Sequence, residues 1–333
     1  MLLKNAQAIL NNWVRSNVFH FVGIDPPTSG TTGIGVNVCG KGSTYIHIPS
    51  GVKFTNEGSE TSPYWTPMNY RAPGLLSIFT DFRAGLGKAV ADTAATATLS
   101  DSGLRVHGDG VTATDSGLTV AYAEAGPVAS AIATATTAKI LALSHGDANV
   151  QLQPDTNKLL VIDATVAMSS AITLRSLFMG FLGTLADGLL PPVTGATVTA
   201  TLVQDDQAGV VFDAGFTAAD RLYAVHNKSD EVATQDVSTS TPQGTGANAT
   251  EGTRDSGIAF PAAGTYTRLR VEINEGGDMR IFKDKVEILK IINALDADEE
   301  VGPCLLVRST SAATKTMLVK QFATWAFRVE SAT

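Results

Sequence analysis

Residues Tyr266 to Ile291, YTRLRVEINEGGDMRIFKDKVEILKI, constrain the fold more than any other stretch. Leu269, Val271 and Ile273 alternate with Arg268, Arg270 and Glu272. In an extended backbone this alternation puts apolar chains on one face and charged chains on the other. Asn274-Glu275-Gly276-Gly277 reads as a turn, and Met279 and Ile281 resume the alternation. Asp284-Lys285 is a second reversal, before Val286, Ile288 and Ile291. Period-2 patterning cut by Gly-rich turns predicts antiparallel strands with one face buried. No recognisable chemistry sits on them.

The same reading extends through the second half of the chain. Leu159–Val166, Ile172–Leu182, Thr197–Val203, Val210–Asp213, Arg221–His226, Thr267–Asn274, Met279–Lys283, Val286–Leu289, Pro303–Ser309 and Thr324–Val329 are candidate strands separated by turn signals. Many short strands at this spacing predict a mainly β fold, an antiparallel β-sandwich or jelly roll, over residues 151–333. The polar, Gly-rich run from Gln235 to Gly257 is too long for a tight turn and is expected to be an exposed loop. Ala294–Glu300 is expected to hold a turn of helix. Residues 75–150 are biased to Ala, Thr and Gly. There, Asp101-Ser102-Gly103-Leu104 and Asp115-Ser116-Gly117-Leu118 repeat a turn leading into a strand, and Val128–Leu143 is expected to be extended. Residues 1–74 read as an extended, β-hairpin-rich N-terminal arm. Tyr45 and His47 lie on one strand, Pro49-Ser50-Gly51 makes the turn, and Val52 and Phe54 follow.

Charged residues make up only 17% of the 333 positions, against about 25% in an ordinary globular chain. Such a chain has little charge to cover a free surface. Either other subunits cover part of it, or its surface is rich in Thr and Ser. The formal net charge of −8 argues against a nucleic-acid-binding face, which needs an excess of Lys and Arg. The opening run MLLKNAQAILNNWVRSN has helical apolar spacing without a cleavage site, and no run of about 18 apolar residues follows. No membrane association is expected, and synthesis in the cytoplasm is.

No catalytic pattern stands out. The five histidines are spaced too widely for a local metal pair. Asp205-Asp206 offers oxygen ligands of the kind Ca²⁺ prefers, or else is a solvated turn. Carboxylates at glycosidase spacing, a nucleophile elbow and a phosphate loop are all missing from the sequence. The two cysteines, Cys39 and Cys304, match no metal spacing and are expected to be buried apolar residues. Trp325, in FATWAF, is expected in the core. No enzyme activity, cofactor or metal is therefore expected.

Two resemblances add to this. The run Thr267 to Asp284 resembles the paired strands of laminin-G/concanavalin-like jelly rolls, with Lys285 where that pattern often has Gly. FMGFLGTLADGLLPPVTGATVTATLVQDDQAGVVFDAG followed by DRLYAVHNKSD resembles capsid decoration (cement) proteins of tailed bacteriophages, and GKGSTYIHIPSGVKFTNEGSETSPYWTP resembles segments of such virion proteins. The second resemblance implies a structural protein on the virion exterior. It would bind the major capsid protein and itself as a homo-oligomer, with a trimer by family analogy, and would bridge capsid subunits. Trp13, Tyr45, Tyr64 and Trp65 are then the candidate partner-interface residues, since buried aromatics dominate interface energy. The alternative for each is an ordinary place in the core. Two other functions fit the same fold: a glycan- or receptor-binding module of a virion fibre, and a sandwich-fold glycan-active enzyme.

Overall fold

The computed structural model describes residues 18–68, 75–80, 90–91, 97–99, 104–108, 116–123, 126–133, 140–145, 152–169, 175–185, 192–196, 199–204, 206–216, 220–228, 233–236, 251–309 and 315–327. Almost all regular structure in them is β, and α1 (Pro154–Asn157) is the one helix among the described residues.

Two large antiparallel sheets form a sandwich. The nine-stranded sheet runs β22 (Val286–Ile291), β21 (Met279–Lys283), β20 (Thr267–Asn274), β12 (Leu159–Met168), β24 (Lys315–Phe327), β10 (Gly126–Ala133), β9 (Ser116–Ala123) and β6 (Val90–Ala91), with β5 (Leu75–Thr80) also paired to β24. The eight-stranded sheet runs β19 (Glu251–Ala259), β17 (Arg221–Asn227), β16 (Gln207–Asp213), β13 (Arg175–Leu182), β23 (Gly302–Ser309), β11 (Ile140–His145), β8 (Leu104–Gly108) and β7 (Ala97–Leu99). Strands from residues 75–145 thus lie in both sheets beside strands from residues 159–327. Alternate residues interdigitate between the sheets. Leu160, Ile162, Val271, Ile281 and Phe322 from one meet Leu177, Met179, Val210, Phe212 and Leu305 from the other. Burial of this apolar area is the main stabilising term.

Each large sheet carries a smaller one on its outer face. The N-terminal sheet, β1 (His20–Gly23), β2 (Thr44–His47), β3 (Val52–Asn56) and β4 (Trp65–Pro67), packs Tyr45, Val52, Phe54 and Trp65 onto Val161, Ala323, Trp325 and Phe327 of the nine-stranded sheet. Its strands are antiparallel except that β1 runs parallel to β2. The three-stranded sheet, β14 (Val193–Ala196), β15 (Thr199–Leu202) and β18 (Ala233–Asp236), packs Val193, Ala200 and Leu202 onto Phe178, Val211, Tyr223 and Leu306 of the eight-stranded sheet.

The strands read from the alternation are all present, and Val128–Leu143 supplies parts of β10 and β11. Both cysteines are free and buried, and Trp325 is in the core. Four expectations need correction. The N-terminal segment has the expected hairpin, β2–β3, but residues 18–68 lie against the sandwich as a layer with its own core. The region Gln235–Gly257 is not one loop, because its end belongs to β19; residues 237–250 lie outside the described residues. As the edge strand of its sheet, β19 tolerates polar residues and a left-handed Gly257, φ +68°. Ala294–Glu300 forms turns rather than helix, because Ala294 and Leu295 bond through their backbone N–H groups to Gly277 O and are buried there. The last strand begins at Lys315, not Thr324. Its register against β12 shifts between Thr165 and Val166, so the inward positions change phase from Met317 and Val319 to Phe322 and Ala326. Such a bulge erases the alternation a sequence reading depends on.

Candidate functional site

The charged face of β20 and β21 is not a solvent face. Arg270 and Glu272 are buried, as is Arg280 on β21. The N-terminal layer roofs them, and nearly every charged group beneath finds its partner in that layer.

At the centre is Asp163 of β12, fully buried. It sits opposite Arg270 in the β12–β20 register and receives Arg268 in a bidentate grip, Nε to Oδ1 and Nη2 to Oδ2, both 2.8 Å. Tyr64 donates its hydroxyl to Oδ2 at 2.9 Å, and Arg270 Nε faces the same oxygen at 3.2 Å. The Arg270 guanidinium lies between two rings, 4.0 Å from the centroid of Tyr64 and 4.5 Å from that of Trp325. Its Nη1 donates to Trp65 O at 2.9 Å and pairs with Glu272 Oε1 at 3.1 Å. Its Nη2 has no hydrogen-bond partner, and the two ring faces take up part of that charge.

The rim continues the same logic. Glu272 Oε2 accepts from Ser29 N, and Arg280 donates to Ser29 O and to Thr32 Oγ1. Glu287 accepts from Thr31 N at 2.8 Å. Gly30 passes so close that a Cβ there would meet Glu287 Oε2 at 1.7 Å, and its φ of +95° suits only glycine. Glu57, just after β3, pairs with Arg268 at 3.0 Å and Lys285 at 3.1 Å.

The electrostatics follow from this packing. Burial raises the pKa of Glu57, but the charges and hydrogen bonds of Lys285 and Arg268 outweigh it and leave it below the usual carboxylate value. For Glu272 burial wins over Arg270, Ser29 and Arg280, so its pKa is raised. Burial and Asp163 push the Tyr64 hydroxyl well above its usual range, against the pull of both arginines. Tyr64 therefore stays protonated and keeps donating. This cluster is a latch that fastens the N-terminal sheet to the sandwich.

That assignment places the aromatic candidates. Tyr45, Tyr64 and Trp65 are buried within the chain and anchor its own N-terminal layer, so none presents its ring outward. Tyr45 donates to Asp25 O and Trp65 Nε1 to Ile34 O. Trp13 lies outside the described residues, as does Asp205; Asp206 occupies the turn before β16 at φ +47°. No group of His, Cys, Asp and Glu suited to a metal occurs among the described residues.

Along one edge the N-terminal sheet exposes apolar residues, beside the polar His20 and Lys53. β1 is its edge strand, and among the described residues no strand pairs with its far side. Along it Phe19 is 42% exposed, Val22 67% and Ile24 71%; Ile48, whose N–H bonds to Gly23 O, is 57% exposed. The sequence reading missed this edge, because its apolar residues alternate too briefly to distinguish an outward face from an inward one.

No family model and no curated protein sequence matches the chain. Among solved structures, a conserved carbohydrate esterase from the Shiga toxin-encoding bacteriophage phi24B aligns with a TM-score of 0.39 and 13% identity, over 76% of this chain and all of that one. Peanut lectin aligns with a TM-score of 0.43 and 7% identity over 77% of this chain and 99% of its own. An alginate lyase of polysaccharide lyase family 7 aligns with a TM-score of 0.38 and 8% identity over 63% of this chain and 84% of its own. These likenesses are too remote to transfer an activity or a ligand.

Proposed function

We propose that the chain is a non-catalytic assembly protein that docks through the free edge of its N-terminal sheet onto a repeating protein surface. The outside of a tailed-phage head, built of major capsid protein, is the surface its sequence resemblance implies. The observation that carries this reading is β1, an edge whose far side no strand pairs with among the described residues, lined by exposed Phe19, Val22, Ile24 and Ile48. Exposed apolar edges of this kind invite an added strand or a flat apolar partner. Pairing of β1 with β2 and the bonds of Tyr45 to Asp25 O and of His47 to Ile24 O hold the edge in place, so little ordering entropy is lost on docking. A net charge of −8 suits the exterior of a DNA-filled shell better than its lining. On a lattice, modest contacts from many copies, or from an oligomer such as a trimer, add through multivalency. The protein would thus be made in the host cytoplasm and end on the virion exterior, bridging capsid subunits.

Co-sedimentation with undecorated phage heads tests this, using wild type and the double variant Val22→Asp/Ile24→Asp. Saturable binding that raises the melting temperature of the heads, lost in the variant while its circular dichroism is unchanged, is the expected result. Binding that survives both substitutions would remove the edge from the mechanism. Failure of the wild type to bind any head would remove the assembly reading itself.

A further inference from the structure

The far side of β1 offers backbone bonds, at Val22 and at Ile24 just past its end, that no described residue takes up. Phe19 O and Gly23 O accept from Thr44 N and Ile48 N, both at 2.8 Å, and Phe19 N bonds to Ser43 Oγ. Along a strand in a ladder, residues that bond to one side alternate with residues that bond to the other. Phe19, Phe21 and Gly23 thus spend their backbone groups toward β2. Val22 turns its N–H and C=O the other way, as Ile24 turns its N–H.

The sequence does not defend this edge. Folded sheets blunt free edges with charge, Pro or a bulge, because bare backbone groups template an added strand. β19, at the edge of the eight-stranded sheet, carries Glu251, Arg254, Asp255 and the left-handed Gly257. β22, at the edge of the nine-stranded sheet, carries Glu287 and Lys290. From Val18 to Ile24 the chain reads VFHFVGI, with no Lys, Arg, Asp, Glu or Pro, and β1 pairs with β2 without a register shift.

We infer that, away from its docking surface, the edge is closed by a second copy of this chain, β1 against β1, antiparallel about a twofold axis at Val22. A twofold brings a patch against itself, so the patch must complement itself. Val22 does so: its outward N–H and C=O donate to and accept from Val22 of the other copy. Residues directly opposite in such a pair share a face. The two exposed Val22 side chains meet at the axis, and each Ile24 falls beside His20 of the other copy, which withdraws the apolar strip from water. An unrelated strand would need its own matching pattern, whereas an identical copy brings the same bare, uncharged edge. The contact is small, under about 1,200 Å² in total, and therefore reversible. That docking displaces the second copy rests on the function proposed above; the pairing itself does not.

Sedimentation equilibrium of the full chain without heads tests the pairing. A monomer–dimer equilibrium between about 1 µM and 1 mM is expected of a small transient interface. Val22→Pro removes the outward N–H, keeps an apolar side chain and spares the β1–β2 ladder, and edge strands accept Pro at such positions. It should stay monomeric with unchanged circular dichroism. Val22→Cys tests the register, because Cα atoms opposed in a bonded antiparallel pair lie about 5.5 Å apart, within disulfide reach. It should form a disulfide-linked dimer on mild oxidation. Ile46→Cys, one strand further in and about 15 Å from its copy, should not. The native Cys39 and Cys304 are buried and do not interfere. A chain monomeric up to about 1 mM, a dimer that survives Val22→Pro, or equal cross-linking at Ile46 would overturn the inference. If Val22→Pro unfolds, the two cysteine variants decide alone. Undecorated heads then separate pairing from docking. The oxidised Val22→Cys dimer should lose head binding that reduction restores, and a cross-linked dimer that binds as well as the reduced chain would overturn the displacement. A wild type that pairs but binds no head would remove the docking function and leave the pairing standing.

Discussion

The two outer layers of this protein are attached differently. Both pack apolar side chains onto their large sheet, but the N-terminal sheet is held to the nine-stranded sheet by charge as well, with Asp163, Arg268, Arg270, Glu272 and Arg280 all engaged by residues 29–65 or by each other. The three-stranded sheet is held to the eight-stranded sheet by apolar packing, and beneath it Gln207, Asp213 and Arg308 keep polar atoms without partners. Buried polar groups in a finished interface find partners, since an unmet one costs roughly 1–3 kcal/mol. Both interfaces leave some polar atoms unmet, Arg270 Nε and Nη2 with Thr66 Oγ1 in the first and Asp213 Oδ2 with Arg308 Nε in the second. They differ in that the first surrounds its charges with ion pairs and two aromatic rings, whereas Asp213 and Arg308 form no ion pair within 4 Å.

The sharpest way to break this comparison is at the centre of the latch. Asp163→Asn leaves Arg268 and Arg270 beneath the N-terminal layer without their shared carboxylate. Removing one partner of a buried pair costs about 3–5 kcal/mol. Equilibrium denaturation should show that loss, and limited proteolysis should cut residues 18–68 first. Tyr64→Phe is gentler, because the ring stays against Arg270 and only the hydroxyl bond to Asp163 goes. A hydrogen bond to a charged acceptor is worth about 1.5–3 kcal/mol, and the same denaturation experiment should recover a loss in that range.

Asp213→Asn should act in the opposite direction. The native pKa of Asp213, about 6, lies above the ordinary aspartate value of 3.8, so between these values the native state holds the extra proton. Stability from this group is therefore full below about pH 4 and is lost as pH rises through 6. Asn removes that loss. The variant should exceed wild type by about 1–3 kcal/mol at pH 7, with the difference vanishing near pH 4. His145 contributes with the other sign: burial lowers its pKa from 6.5 to about 3, so its stability is present above 6.5 and lost as pH falls toward 3. It bonds to Thr324 across the core and stacks on Phe322. In Asp213→Asn the decline below pH 6.5 should steepen, by about 1.4 kcal/mol per pH unit at most. A variant less stable than wild type at pH 7 would mean that the fold needs the Asp213 charge, as it needs that of Asp163.

The strands and the sandwich were legible because alternation is a local signal, and Leu269, Val271 and Ile273 carry it plainly. The phase change in β24 was not, because a bulge flips which residues face inward. Nor was the latch. Arg268, Arg270 and Glu272 look like a solvated face in the sequence, and only the return of residues 29–65, some 200 positions earlier, makes them interior. The same contacts turn Tyr64 and Trp65 from candidate partner anchors into internal ones. The row of Asp213, Ser176 and Arg308 joins three strands far apart in the chain, and neither its register nor its missing partners has any local trace.

The smallest expected effect is the most diagnostic of where the latch gets its strength. Glu287 holds Thr31 through N–H and hydroxyl, at 2.8 and 3.2 Å, at the solvent-facing rim. Gln at this position keeps an oxygen for Thr31 N and loses only the charge. Water screens that charge, so Glu287→Gln should cost under about 1 kcal/mol, and the cost should shrink further at high salt. The loss in Asp163→Asn should barely respond to salt, because no solvent reaches that carboxylate. Paired denaturation curves at low and high ionic strength measure both. If the rim variant matched the central one in size or the central one in salt response, the attachment would be spread evenly over the face. The contrast between an interface reinforced by buried ion pairs and one held by apolar packing alone would then lose its physical basis. If they separate, the strength lies in the dry cluster around Asp163, where two aromatic rings and three cations share two carboxylates out of reach of water.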